Sequence, residues 1–114
     1  EFVRLLELTG LAQISVDELQ NHRFHYAELF SQKYPDVVLL LKGANVIIAQ
    51  REKYFINSNG TSALAKGGSG DVLSGLIGSL LAQGYEPLNA TITASLAHTQ
   101  IALNYTCSDF SLTP

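Results

Sequence analysis

The chain has no methionine, no tryptophan and a single cysteine, Cys107. One cysteine excludes an internal disulfide and fits a reducing compartment, read here as the cytoplasm. Charge is scarce: 15% of the 114 residues are charged, against about 25% in an ordinary globular domain. The seven Lys and Arg are scattered and sit against ten Asp and Glu, for a net charge of −3. No basic run or stripe exists, so electrostatic binding to nucleic acid has no footprint. Long apolar runs are missing too. The longest, Val37 to Leu41, falls far short of the ~20 residues that cross a bilayer. Glu1-Phe2-Val3-Arg4 lacks the basic start and apolar stretch of a secretory signal. Nucleic acid and membrane are therefore not expected as partners.

The length suits one domain, which could bury roughly two-thirds of its unfolded surface. A small domain has much surface to solvate, so low charge points to surface covered by other protein. The chain also starts inside an apolar helical pattern and stops at Thr113-Pro114. We read it as a piece of a longer domain.

Periodicity outlines the elements. Phe2, Leu5, Leu6 and Leu8 form a short helical pattern, with Gly10 as its stop. Ser15-Val16-Asp17-Glu18 is a capping box. It should open one helix from Val16 to Tyr34, with Leu19, Ala27, Leu29 and Phe30 toward the core and Pro35-Asp36 as its end. Val37 to Leu41 reads as a strand covered on both faces, as in a parallel sheet. A tight loop, Lys42 to Asn45, leads to strands at Val46–Ala49 and Tyr54–Ile56, paired as a hairpin. Residues 57–70 read as loop. Asp71 opens an amphipathic helix with Val72, Leu73, Leu76, Ile77, Leu80 and Leu81 on its stripe, stopped by Gly84. Gly75 and Gly78 inside it imply close backbone packing. A last helix, Pro87 to Tyr105, carries no Lys, Arg, Asp or Glu and reads as buried.

The stretch that bears chemistry is Lys66-Gly67-Gly68-Ser69-Gly70-Asp71. Its glycines let the backbone approach a ligand, and they lead into a helix whose first N–H groups are unpaired and partly positive. That combination suits a phosphate or a developing oxyanion. A carboxylate at the rim of such a cradle suits a base that takes a proton from an attacking hydroxyl. The plainer alternative is an N-cap Asp after a flexible turn. The Gly-Lys-Ser/Thr of a Walker A loop is absent, as is the Gly-x-Gly-x-x-Gly of a dinucleotide fold.

Gly67-Gly68-Ser69-Gly70-Asp71-Val72-Leu73-Ser74-Gly75 resembles the signature of the ADP/ATP-dependent NAD(P)H-hydrate dehydratases, a branch of the ribokinase-like superfamily. Lys42-Gly43-Ala44-Asn45-Val46-Ile47, Asn59-Gly60 and the opening Glu1-Phe2-Val3-Arg4-Leu5 are similar to other segments of that family, in the same order. The resemblance implies a three-layer α/β/α fold with a largely parallel central sheet, residues 1–114 being the C-terminal part of a single domain. It implies repair of hydrated NADH or NADPH: a nucleotide phosphorylates the extra ring hydroxyl, and phosphate is then eliminated. Asp71 would be the general base and contact the substrate. Gly68, Ser69 and Gly70 would form the anion hole. Lys42, Gly43, Ala44, Asn45, Val46, Asn59, Gly60, Gly67 and Gly70 would bind the nucleotide. ADP or ATP would be the co-substrate, with Mg²⁺ carried on its phosphates and no dedicated metal ligands. Ala65-Lys66-Gly67-Gly68 looks more like bacterial members, the branch associated with ADP. Lys42 could also be a solvated strand-end residue, and Lys66 could face phosphate or solvent.

Other polar residues carry weaker patterns. His22 and His25 lack a third ligand nearby in sequence, His98 lies on the uncharged helix, and Ser74, His98 and Asp109 have no nucleophile elbow. A kinase of a small alcohol, such as a vitamin precursor, would use the same loop and Asp. A non-catalytic nucleotide-binding module is the third class. Contacts with the remainder of the domain, and self-association, are expected.

Overall fold

The helix signals near the N-terminus act as written. α1 spans Phe2–Leu8 and buries Phe2 and Leu6, which lie one turn apart on one face. Leu5 and Leu8 fall off that face and stay exposed. Thr9 closes the helix, its hydroxyl donating to the Leu5 carbonyl at 2.8 Å. The capping box forms as expected: the Glu18 N–H donates to Ser15 Oγ at 3.1 Å. The computed structural model describes residues 1–43, 45–57 and 69–108, the side chains of Ser69 and of 102–108 excepted.

The single helix expected from Val16 to Tyr34 is two helices. α2 covers Val16–Asn21 and α3 covers Arg23–Lys33. His22 separates them at φ −138°, ψ 40°. Its Nδ1 lies 3.2 Å from the Glu18 carboxylate, and Tyr26 donates its hydroxyl to the same carboxylate oxygen at 2.9 Å. The hydrogen bond to Glu18, with burial, holds the Tyr26 phenol above its ordinary pKa. Periodicity survives the break because both helices turn apolar faces to one cluster.

Three strands follow: β1 (Leu39–Leu41), β2 (Val46–Gln50) and β3 (Lys53–Asn57), in the order β1-β2-β3. The parallel pairing expected for the Val37–Leu41 run is corrected here. β1 runs antiparallel to β2, with Leu39 opposite Ala49, Leu40 opposite Ile48 and Leu41 opposite Ile47. The Lys42–Asn45 link is too short for a crossover, which needs roughly a dozen residues. Coverage of both faces is incomplete in the Val37–Leu41 run, where Leu39 and Leu41 are buried, Leu40 is half-buried and Val37 is exposed, and is seen instead in β2. Ile47, Ile48 and Ala49 are all buried in β2, and successive strand residues point to opposite faces. Arg51 makes the turn to β3 at φ 58°. Its carbonyl accepts from the buried Ser31 hydroxyl at 2.9 Å. Its guanidinium donates to the Pro35 carbonyl at 3.2 Å and to Asp36 at 2.8 Å.

The chain divides into two compact units, Glu1–Leu41 with Ile47–Phe55, and Lys42–Val46 with Ile56–Pro114. In the first, Phe2, Leu6, Leu19, Tyr26, Ala27, Phe30, Leu39, Leu41 and Ile47 form one core, with Leu29 at its margin. Phe2 meets Phe30 edge-on at 5.8 Å between ring centroids, and Tyr34 lies against Phe30 at 5.1 Å. Such aromatic pairs add about 0.5–1.5 kcal/mol beyond their buried area.

The second unit holds α4 (Ser69–Ala82) packed along α5 (Pro87–Ser108). Gly84, at φ +95°, ends the turn after α4, where L-residues with a Cβ are disfavoured. Leu73, Ala90, Ala94, Thr91, Ser95 and Thr99 are buried. Asn57, at the end of β3, is buried with them and donates to Ser95 Oγ (3.2 Å) and Thr99 Oγ1 (3.0 Å). Two expectations need correcting. Gly75 and Gly78 are exposed, and a Cβ at either would meet no described atom within 4 Å. The uncharged α5 is buried only along its Ala/Ser/Thr face: Leu96 and Ile101 are exposed, as are Val72 and Leu81 on α4.

Candidate functional site

Helix α4 begins at Ser69, two residues before the expected start. Asp71 is therefore inside the first turn rather than at the N-cap. A carboxylate in the first turn is favoured by the helix dipole by about 0.3–1 kcal/mol. The Asp71 side chain is exposed, open to a ligand. Ser69 and Gly70 supply backbone N–H groups of the same turn, which have no partners within the helix.

Lys42 follows directly on β1 and belongs to the same unit as α4. A Cβ added at Gly70 would stand 3.0 Å from Lys42 Nζ. The ammonium thus lies over the first turn of α4, in close contact with Gly70. Gly43 and Asn45 are exposed beside Lys42, and Val46 opens β2 half-buried. An ammonium, the N-terminal turn of a helix and an accessible carboxylate are gathered in one unit. Chemically, the first two attract an anion and the third can accept a proton from a neutral hydroxyl beside it.

Of the residues read as site residues, Lys42, Gly43, Asn45, Val46, Gly70 and Asp71 are described, with the backbone of Ser69. Ala44, Asn59, Gly60, Gly67 and Gly68 lie outside the described residues, as does Lys66. Asn57 was missed: read as the start of a loop, it ends β3 and pins that strand end to α5. Its type gave the only signal, since Asn in an otherwise apolar strand needs partners when buried. Elsewhere, His22 is exposed beside Glu18, and His25 is exposed against the Tyr26 ring at 5.0 Å. His98 is half-buried, and burial lowers its pKa. Asp109 is outside the described residues. Among the described residues no three His, Cys, Asp or Glu form a metal-binding group, and no helix is long and apolar enough to cross a membrane.

Known proteins share this arrangement of elements. A solved ADP/ATP-dependent NAD(P)H-hydrate dehydratase from Bacillus subtilis, co-crystallised with ATP/Mg²⁺, superposes with a TM-score of 0.79 at 32% identity, over 91% of this chain and 38% of that one. The fold is accordingly α/β and ribokinase-like, and the described elements form part of it. The sequence pattern of the NAD(P)H-hydrate dehydratase family matches residues 1–111, and the chain belongs to that family. The bifunctional NAD(P)H-hydrate repair enzyme Nnr of Helicobacter pylori is 54% identical over the whole chain. The ADP-dependent (S)-NAD(P)H-hydrate dehydratase of Bacillus subtilis is 33% identical over 81% of it. The chain spans 24% of the first of these relatives and 33% of the second.

Proposed function

We propose that the complete protein dehydrates hydrated NADH or NADPH with ADP or ATP as phosphoryl donor, and that residues 1–114 are the C-terminal part of the single domain that does so. The observation that carries the reading is Lys42 Nζ over Gly70, one residue before the exposed Asp71. The family and the printed activities of its members support it.

Asp71 takes the proton of the hydrate's ring hydroxyl as that oxygen attacks the terminal phosphoryl group of the nucleotide. The bond to the donor nucleotide breaks, and the shortened nucleotide leaves. Lys42 and the N–H groups of Ser69 and Gly70 hold the charge on the transferring group, with Gly68 completing the anion hole. Gly43, Ala44, Asn45, Val46, Asn59, Gly60 and Gly67 surround the nucleotide. The ring nitrogen's lone pair then expels phosphate, and loss of a proton from the adjacent carbon restores the double bond. Mg²⁺ carried on the nucleotide phosphates would neutralise part of their charge.

The single cysteine and the nucleotide co-substrate support a cytoplasmic location. The exposed Val72, Leu81, Leu96 and Ile101 support coverage by the remainder of the domain, with self-association as a further contact. The test is to incubate the complete protein with hydrated NADH, Mg²⁺ and either ADP or ATP, and to follow absorbance of the restored dihydropyridine. Recovery with one nucleotide or both is expected. No recovery with either, together with phosphorylation of a small alcohol, would replace this reading by the kinase.

A further inference from the structure

His98 belongs to a row on α5, Ala90, Ala94 and His98, whose members are four residues apart and share one face of the helix. Ala90 and Ala94 are fully buried, while His98 is half-buried. The row therefore opens toward its His98 end. α4 packs along α5, and residues 83–86 alone join the two, so they run antiparallel. Counting eleven residues back from Ala82 reaches Asp71, and counting eleven on from Pro87 reaches His98. Helices rise equally per residue, so His98 stands level with the first turn of α4.

The side of that turn is also set. Gly70 and Leu73 lie one turn apart on one face of α4, and Leu73 is buried. Asp71 and Leu73, two residues apart, point about 160° away from each other, and Asp71 is exposed. Lys42 Nζ is at Gly70. His98, on the covered face of α5, thus shares the Lys42 side of the turn and not the Asp71 side. All of these residues belong to the second unit. Among the described residues, no hydrogen bond or ion pair occupies the His98 imidazole. Burial lowers its pKa, which keeps the ring neutral near pH 7, with one N–H donor and one acceptor to offer.

We propose that His98 is a nucleotide-contacting residue: its ring hydrogen-bonds the nucleotide that Lys42 and the first turn of α4 hold, on the far side of that turn from the hydrate. The inference deepens the proposed function and rests on its assignment of Lys42 and Gly70 to the nucleotide. A His98 that only fills the seam between α4 and α5 would change stability and leave nucleotide affinity alone once the protein is folded.

The test uses the complete protein with His98→Leu, which keeps bulk and removes the ring nitrogens, and His98→Asn, which keeps a donor. Kd for ATP/Mg²⁺ is measured by calorimetry, KM for hydrate and kcat by the dehydration assay, and folding by thermal melting. Expected for His98→Leu is a nucleotide Kd raised about tenfold, the scale of one lost hydrogen bond to a charged ligand, with hydrate KM and kcat held within about twofold. His98→Asn should recover part of the loss, to about threefold above the parent. In the parent, the His98 ring proton resonances, assigned by their absence from His98→Leu, should move on saturation with ATP/Mg²⁺, while those of the exposed His22 and His25 stay. A folded His98→Leu with nucleotide Kd unchanged, nucleotide and hydrate affected equally, or His98 resonances that ignore the nucleotide would each overturn the proposal. If His98→Leu does not fold, His98→Gln is judged by the same criteria. A parent protein that binds nucleotide but does not dehydrate overturns the activity and leaves the His98 effect on Kd readable. A parent that binds no nucleotide overturns both.

Discussion

The two units bury different chemistry. The first closes around large side chains, Phe2, Leu6, Tyr26 and Phe30, with ring against ring. The second packs two helices through Ala90 and Ala94 and a set of hydroxyls, Thr91, Ser95 and Thr99, that Asn57 ties to the end of β3. Large apolar cores gain most from burial. A seam of small and polar residues gains less and depends on each hydrogen bond being made. The candidate site lies in the second unit. Its charged groups, Lys42 and Asp71, are exposed, and its stability is set by directed bonds more than by bulk. The two units thus differ in what they bury and in the charge they expose.

That division can be tested by substitution. Asp71→Asn should have the largest effect: turnover falls by about 10²–10⁴-fold, the usual loss for a positioned base, while calorimetry still detects nucleotide binding and melting is unchanged. Near-parent turnover would remove Asp71 from its role. Phe30→Ala should cost about 3–5 kcal/mol of unfolding free energy, read from denaturant titration. A much smaller loss would mean that the first unit does not rest on its aromatic core. Asn57→Ala should cost about 1–3 kcal/mol, because it leaves the Ser95 and Thr99 hydroxyls buried without their donor. A neutral result would make the second unit's polar seam incidental.

Gly70→Ala sharpens the comparison. Helix propensity alone favours Ala by about 1 kcal/mol, so stability should hold or rise. The new Cβ would stand 3.0 Å from Lys42 Nζ, so the ammonium must give by a few tenths of an ångström and nucleotide Kd should rise slightly. Unchanged affinity would show that Lys42 is not held there for the ligand. The smallest effect concerns pH. Burial lowers the His98 pKa from 6.5 in the folded state. The unfolded chain therefore gains its proton at higher pH than the folded one, and stability present above about pH 6.5 falls as pH drops through that value toward the folded pKa. Stability of His98→Gln, measured across pH 5–8, should lose that slope.

Much of this was legible because local rules govern it. Ser15 and Glu18 wrote the start of α2, and Gly84 the end of α4. The resemblance of the glycine run before Asp71 to the dehydratase signature agrees with the family whose pattern matches residues 1–111. The break at His22 was hidden, since an apolar pattern continues across a kink when both helices face one core. The antiparallel pairing was readable in principle from the short Lys42–Asn45 link, but the apolar run Val37–Leu41 spoke more strongly for a parallel strand. Arg23, the first residue of α3, donates to the Leu41 carbonyl at 3.1 Å. Its bond to Leu41 joins positions 18 apart in sequence, which no local pattern encodes. Asn57 is further still from its partners, 38 and 42 residues from Ser95 and Thr99.

By itself, the sequence determined where α2 starts and where α4 stops, and which glycine-rich segment and which carboxylate to test as the site. Those properties follow from neighbours in the chain: capping, φ preference and apolar period. Only the tertiary structure decided that β1 and β2 pair antiparallel, that Lys42 reaches Gly70, and that Arg23 and Asn57 hold two strand ends. Those depend on which side chains meet after the chain has turned back on itself, and burial makes such meetings obligatory for polar groups without assigning the partner in advance.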